Sequence, residues 1–181
     1  MDGYPSDQGP VAVRSQRCGC RADDRRCGTG HGGTTVATGK GERAWCVVVP
    51  HQASGARLAR HRLADELTGL VPPTLLADLV AVLAELVGNA VRHAHPLPGG
   101  VVRVAWRLRG PADAPHVQLR VTDGGAAEGP RMRAASPDAA DGRGLHIVAG
   151  LSSRWGVEQD GLGQSVWAEF EPSAVDLVVA G

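Results

Sequence analysis

Residues 85–94 read Glu85-Leu-Val-Gly-Asn89-Ala-Val-Arg92-His93-Ala94, and the placement of this stretch decides the fold. It closes a segment from about Thr74 to Ala94 in which Leu76, Leu79, Val80, Leu83, Leu86, Val87 and Ala90 recur at helical spacing. That period predicts an amphipathic helix over 74–94. At 100° per residue, Glu85, Asn89 and Arg92 fall within about 60° of one another, with His93 at the edge of the group. The arc lies opposite the Leu/Val stripe, so these side chains face solvent or a pocket. A carboxylate can take a proton or orient a hydroxyl. A carboxamide oxygen can ligate Mg²⁺, and a guanidinium can pair with phosphate. By itself the pattern is weak, because the polar face of such a helix is usually just solvated.

The elements around this helix follow from pattern and punctuation. Ala44 to Val49 is a short apolar run stopped by Pro50 and reads as a strand. Ser54 is the expected N-cap of a helix carrying Ala56, Ala59, Leu63, Leu67 and Leu70 on one face, and Pro72-Pro73 breaks the chain after it. Pro96 to Gly100 is a turn. Val102, Val104, Trp106 and Leu108 then alternate with Arg103, Arg107 and Arg109, the signature of a strand covered on one side. Val117, Leu119 and Val121 alternate in the next strand, which ends at Asp123. Residues 124–141 have no periodicity and read as a functional loop or lid. Gly142-Arg143-Gly144-Leu145 opens a helix to about Leu151, and a hairpin over 154–171 turns at Asp160 to Gly163. The order β-α-α-β-β-lid-α-β-β predicts an α/β domain of the α+β sandwich kind, with one mixed sheet and helices on one face.

Two further segments bear on chemistry. Asp123 ends a strand and is followed by Gly124-Gly125, so its carboxylate stands beside backbone without side chains. That suits an acceptor for an exocyclic amine on a flat ring, although an Asp-Gly pair is also a common turn. Gly142-x-Gly144 at a helix start lets backbone N–H groups approach an anion, although it also serves simply to begin a helix.

Together, in this order and with a lid between the last two, the segments resemble the GHKL ATPases, and within them the small bacterial anti-sigma serine/threonine kinases. Glu85 to Ala94 resembles the N box, Val121-Thr-Asp123-Gly-Gly125 the G1 box, and Gly142-Arg143-Gly144-Leu145-His-Ile-Val the G2 box. Gly163-Gln-Ser165-Val166-Trp167 resembles the G3 strand. The similarity spans about Trp45 to Phe170. It implies a Bergerat-type sheet with three helices on one face and an ATP lid. It also implies ATP and Mg²⁺ as ligands, with Glu85 as general base and Asn89 as the magnesium ligand. Asp123 would accept the adenine amino group with help from Ser165 through water. Gly125, Gly142 and Gly144 would shape the lid and phosphate cradle, and Arg92, His93, Arg143 and Leu145 fall within the ATP-binding boxes. The G1 pattern D-x-G-x-G departs at Ala127, where positive φ would cost lid geometry. Arg131 and Arg133 of the lid read as solvated.

The activity implied is that of a switch-type anti-sigma factor, which binds a sigma factor and phosphorylates a small STAS-type antagonist on Ser or Thr. An alternative is a non-catalytic ATP-binding module that sequesters a protein partner. The catalytic domain of a histidine kinase is disfavoured, since only the N-terminal tail and one helix precede the N box and His61 reads as a surface residue. A ligand-free α/β domain would show no thermal shift with Mg-ATP. Homodimerisation is common among the relatives resembled.

Composition narrows the remaining classes. In 181 residues, 19 Lys+Arg balance 19 Asp+Glu, so the chain lacks the footprint of a general nucleic-acid binder. Aromatics are only 3%, leaving Leu, Val and Ala to build the core. No targeting segment is visible, and Leu75 to Val87, interrupted by Asp78 and Glu85, is too short to span a bilayer, so a soluble, cytoplasmic protein without membrane contact is expected. Residues 1–42 are rich in Gly, Thr, Arg and Asp and read as a disordered tail, residues 43–172 as the domain, and 173–181 as a short apolar tail. Cys18, Cys20 and Cys27 with His31 match no usual zinc spacing and read as reduced thiols. Cys46 reads as a small core residue.

Overall fold

The computed structural model describes residues 34–37, 42–126 and 143–171. Strands β1 (Thr34–Ala37) and β2 (Arg43–Pro50) lead into helices α1 (Ala53–Leu67) and α2 (Pro73–His93). Strands β3 (Val101–Arg109) and β4 (His116–Asp123) follow, then α3 (Arg143–Leu151) and the hairpin β5 (Arg154–Asp160) and β6 (Gly163–Phe170). The six strands form one sheet in the order β1-β2-β3-β4-β6-β5.

Alternation in β3 and β4 dictates the layers. Val102, Val104, Trp106 and Leu108 are buried, as are Val117, Leu119 and Val121, while Arg103, Ala105, Arg107, Gln118 and Arg120 on the other face are half-buried. From α1, Ala59, Leu63 and Leu67 meet this face, and from α2, Leu79, Val82, Leu83, Leu86, Val87 and Ala90 do so. The product is an α+β sandwich with one hydrophobic core, as the periodicities predict. Trp45 and Trp106, opposed in the β2–β3 register, stack with centroids 6.2 Å apart. Trp45 satisfies its buried indole N–H by donating to Glu66 Oε2 at 2.8 Å. Helix α2 is, by length and composition, long and apolar enough to cross a membrane, yet its apolar stripe lies in this core.

Several expectations are corrected. Every strand pairing among the described residues is antiparallel, where a mixed sheet was expected. Strands β4 and β5 do run parallel, but β6 inserts between them through the tight β5–β6 hairpin, so no two neighbours among the described strands are parallel. Helix α1 starts at Ala53 behind Gln52, whose side chain makes no cap, and Ser54 lies inside the helix. The start is set by the backbone instead: Gln52 N–H donates to the Pro50 carbonyl, and Gly55 packs against that same oxygen. Cys46 is not a core residue. It alternates with buried Trp45 and Val47 and lies half-buried on the opposite face, where Arg103 Nε donates to its sulfur at 3.2 Å. Finally, β1 forms ahead of the apolar run at Ala44. Thr34, Thr35 and Val36 have the β-branched side chains that favour extended backbone, and β2 offers them an unpaired edge. Residues 127–142, with Ala127, Arg131, Arg133 and Gly142, lie outside the described residues, as do Cys18, Cys20, Cys27, His31 and residues 172–181.

Candidate nucleotide-binding site

A core of Leu, Val and Ala has little reason to enclose polar groups. The four buried polar or charged residues among those described are Thr122, Asp123, Gln164 and Ser165. They occupy one corner, where β4 ends and β6 begins, and the register pairs Thr122 with Ser165 and Asp123 with Gln164. Directly opposed residues share a face, so one pair points to each side of the sheet. The hydroxyls of Thr122 and Ser165 bond each other at 2.7 Å. Asp123 and Gln164 point to the helix side, the side of Val121 and Val166.

The chain after Asp123 is held in place by the loop that leaves α2. Gly124 N–H donates to the His95 carbonyl at 2.8 Å, and His95 N–H donates to the Gly125 carbonyl at 2.8 Å. A Cβ on Gly124 would stand 2.6 Å from the Pro96 carbonyl oxygen, so glycine is required there by contact. Gly125 has φ +80°, and its N–H donates to Asp123 Oδ1 at 2.8 Å. Oδ2 has no hydrogen-bond partner among the described residues. Burial pushes the Asp123 carboxyl above the ordinary carboxylate range. The Gly125 N–H and the charge of His51 draw it part of the way back. His51 bonds the Ala90 carbonyl through Nε2 at 2.9 Å, which ties the end of β2 to the N-box helix.

The other half of the site is the contact between α2 and the first turn of α3. A Cβ on Gly144 would meet Glu85 Oε2 at 2.6 Å, Asn89 Oδ1 at 3.4 Å and Asn89 Nδ2 at 3.5 Å. The absent side chain therefore lets the opening backbone of α3 lie against the carboxylate and carboxamide. Arg92 folds back over Gly88, with a hypothetical Gly88 Cβ 3.1 Å from Nη1. Its Nη2 donates to Asn89 Oδ1 at 3.2 Å and stands 3.9 Å from Glu85 Oε2. Leu145 is buried, Arg143 opens α3, and His93 is the exposed last residue of α2.

The structure thus gathers Glu85, Asn89, Arg92 and Gly144 in one place and Asp123 and Gly125 at the sheet corner. Ser165 instead faces away from Asp123 with Thr122, and Gln164 takes the position opposite the carboxylate. Gln164, His51 and the His95 backbone were missed by sequence reasoning. The register between two strands 41 positions apart would have found Gln164, and it is invisible until the strands pair.

These residues fit an adenine nucleotide with Mg²⁺. A buried carboxylate keeps one oxygen unpartnered at a glycine-lined corner, and a hard carboxamide oxygen stands with a guanidinium at a helix N-terminus that glycine leaves open. Elsewhere, His116, Glu169 and Glu171 lie close enough to share a metal, with ligand atoms within 4.8 Å. Arg154 already neutralises both carboxylates, at 2.7 Å and 3.2 Å. A cavity of about 310 Å³ opens at the far end of the sheet, beside Pro72, Leu75, Leu151 and Phe170, and shares no residue with the nucleotide site.

The comparisons agree with this geometry. Residues 49–170, well over half of the chain, match the family model of the histidine kinase-like ATPase domain. The protein belongs to that family, the GHKL ATPases, whose domains bind ATP. No curated protein matches the chain.

Proposed function

We propose that this protein is an ATP-dependent protein serine/threonine kinase of the switch-type anti-sigma class. In this reading it binds a sigma factor and phosphorylates a small STAS-type antagonist. The observation that carries the catalytic part is the convergence of Glu85, Asn89 and Gly144. A carboxylate, a carboxamide oxygen and a glycine-opened helix start stand within contact distance, and phosphoryl transfer asks mainly for positioning and charge stabilisation. Asp123 accepts the exocyclic amine of the base through its free oxygen. Asn89 would hold Mg²⁺ through its carboxamide oxygen, and the ion would supply neutralising charge to the phosphates. Glu85 Oε2 takes the proton from the substrate hydroxyl as its oxygen bonds to the γ-phosphorus and ADP departs. Arg92, half out in solvent, turns from Asn89 to the phosphates.

The test is transfer of label from γ-labelled ATP to a candidate antagonist, with Glu85→Gln as control. Transfer by the wild type and its loss in the variant, with ATP binding retained, supports the kinase. ATP binding without transfer to any Ser/Thr acceptor or to water favours the second reading, a non-catalytic module in which ATP sets affinity for a partner. Ala127 in the G1 pattern is the observation favouring that reading.

A further inference from the structure

The loop that leaves α2 is gripped from two sides. On one side is the Asp123 corner, where the His95 N–H and carbonyl exchange hydrogen bonds with Gly125 and Gly124. On the other is His51, a half-buried residue just past the end of β2 that the kinase reading leaves without a role.

The backbone delivers the His51 imidazole from a fixed base. Pro50 ends β2 before it, and the His51 N–H donates to the Gly100 carbonyl at 3.0 Å, where β3 is about to begin. From there Nε2 reaches to 2.9 Å from the carbonyl of Ala90, 39 positions along the chain and in the last turn of α2. A carbonyl oxygen only accepts, so Nε2 carries the proton and donates it. The same oxygen accepts the Ala94 N–H at 3.1 Å, the bond that closes the helix. A ring N–H on a carbonyl near a helix C-terminus is favourable, because it meets the negative end of the dipole. Ala94 is followed directly by His95, so the residue fixed by this shared carbonyl adjoins the residue that clamps Gly124 and Gly125. The charge of His51 is also felt at Asp123, which puts the imidazole within electrostatic reach of the carboxylate.

We propose that His51 is a positioning residue for base recognition: its bond to the Ala90 carbonyl fixes the end of α2 and, through the His95 clamp, holds the Asp123 carboxylate where it accepts the exocyclic amine of adenine. The inference rests on the reading of Asp123 as that acceptor. A hydrogen bond at ordinary length is lost when its partners part by about 0.8 Å, so a small shift of the corner removes it. Leu86, Val87 and Ala90 pin the body of the helix in the core. Loss of the His51 bond therefore frees the chain beyond Ala90 and leaves Glu85 and Asn89 in place.

The experiment titrates the full chain with Mg-ATP and with the Mg complex of purine riboside triphosphate, which has hydrogen in place of the amine. The quantity read is the ratio of the two dissociation constants. A ratio taken on one sample cancels the fraction of folded protein, so a general loss of stability does not move it. Wild type is expected to favour ATP about tenfold, the range for one hydrogen bond. His51→Leu, which has no donor, is expected to abolish that preference by weakening ATP alone. His51→Gln, whose amide nitrogen has nearly the reach of Nε2, is expected to restore most of it. Equal weakening of both nucleotides, an unchanged ratio in His51→Leu, or no rescue by glutamine overturns the positioning role and leaves the Asp123 reading standing. A wild type that binds both nucleotides alike, or neither, refutes the Asp123 reading and this inference with it. NMR of the ¹⁵N-labelled wild-type imidazole needs no variant to fold. A proton on Nε2 is expected, and a neutral ring protonated at Nδ1 alone overturns the bond to Ala90.

Discussion

Gly144→Ala probes the contact between α3 and α2 directly. The new Cβ would stand 2.6 Å from Glu85 Oε2, where ordinary contacts begin at 3.4 Å, so the carboxylate must retreat by about 0.8 Å. Glu85 is the end of a flexible, partly exposed side chain and can move at little cost to the fold. Alanine also has the better helix propensity, by up to about 1 kcal/mol in a helix interior and less in a first turn. The variant should therefore unfold within a few degrees of wild type, or slightly above it. The chemistry should suffer, because a misplacement near 1 Å can cost about 10²-fold in rate. Mg-ATP should still stabilise the protein, since Asp123 and its glycines are untouched. Saturation at a hundred times Kd adds about 2.7 kcal/mol, or about 10 °C for a domain of this size. Thermal unfolding with and without Mg-ATP, beside consumption of γ-labelled ATP, separates these effects. Turnover equal to wild type would refute the placement of α3 on Glu85. A collapse of the unliganded melting temperature would show that the obstacle is rigid and the energetic reasoning wrong.

The other predictions follow from the same geometry. The Asp123 carboxyl is raised by burial, so between its ordinary value near 3.8 and its folded value the native state binds more proton than the unfolded chain. Stability therefore falls as pH rises through that window, and Asp123→Asn should melt higher than wild type at neutral pH, with the gap closing in acid, while losing the Mg-ATP shift; an equal gap at all pH values would sink this. Gly124→Ala sets a Cβ against the Pro96 and His95 carbonyls at 2.6 Å and 3.0 Å, both backbone, and should destabilise by about 1–3 kcal/mol in denaturant titration. Arg92→Ala removes an exposed ion pair at 3.9 Å and should change unliganded stability by under about 0.5 kcal/mol while weakening ATP in calorimetry. Ser165→Ala leaves Thr122 without its buried partner and should cost about 1–3 kcal/mol of stability without altering nucleotide affinity. A selective loss of ATP binding in that variant would overturn the facing given to Ser165.

Periodicity and punctuation in the chain determine which elements form and which faces they bury. The stripe from Leu79 to Ala90 makes a helix whatever it packs on, alternation from Val102 to Leu108 makes a half-covered strand, and Pro72-Pro73 separates the helices. The candidate residues of α2 were legible for the same reason, since Glu85, Asn89 and Arg92 share an arc set by local helical geometry alone. Relations between distant segments were not legible. The family resemblance implies that Ser165 helps Asp123, and only the β4–β6 register turns it away and puts Gln164 opposite the carboxylate, because a shift of one position moves a side chain to the other face. Cys46 likewise looks apolar by its neighbours and lies on the open face by its parity in β2. The contact of Gly144 with Glu85 joins residues 59 positions apart, and β6 passes between β4 and β5 only because a tight hairpin folds it there. Local chemistry chooses the elements; pairing and packing, which depend on the whole chain closing at once, choose which side chains meet.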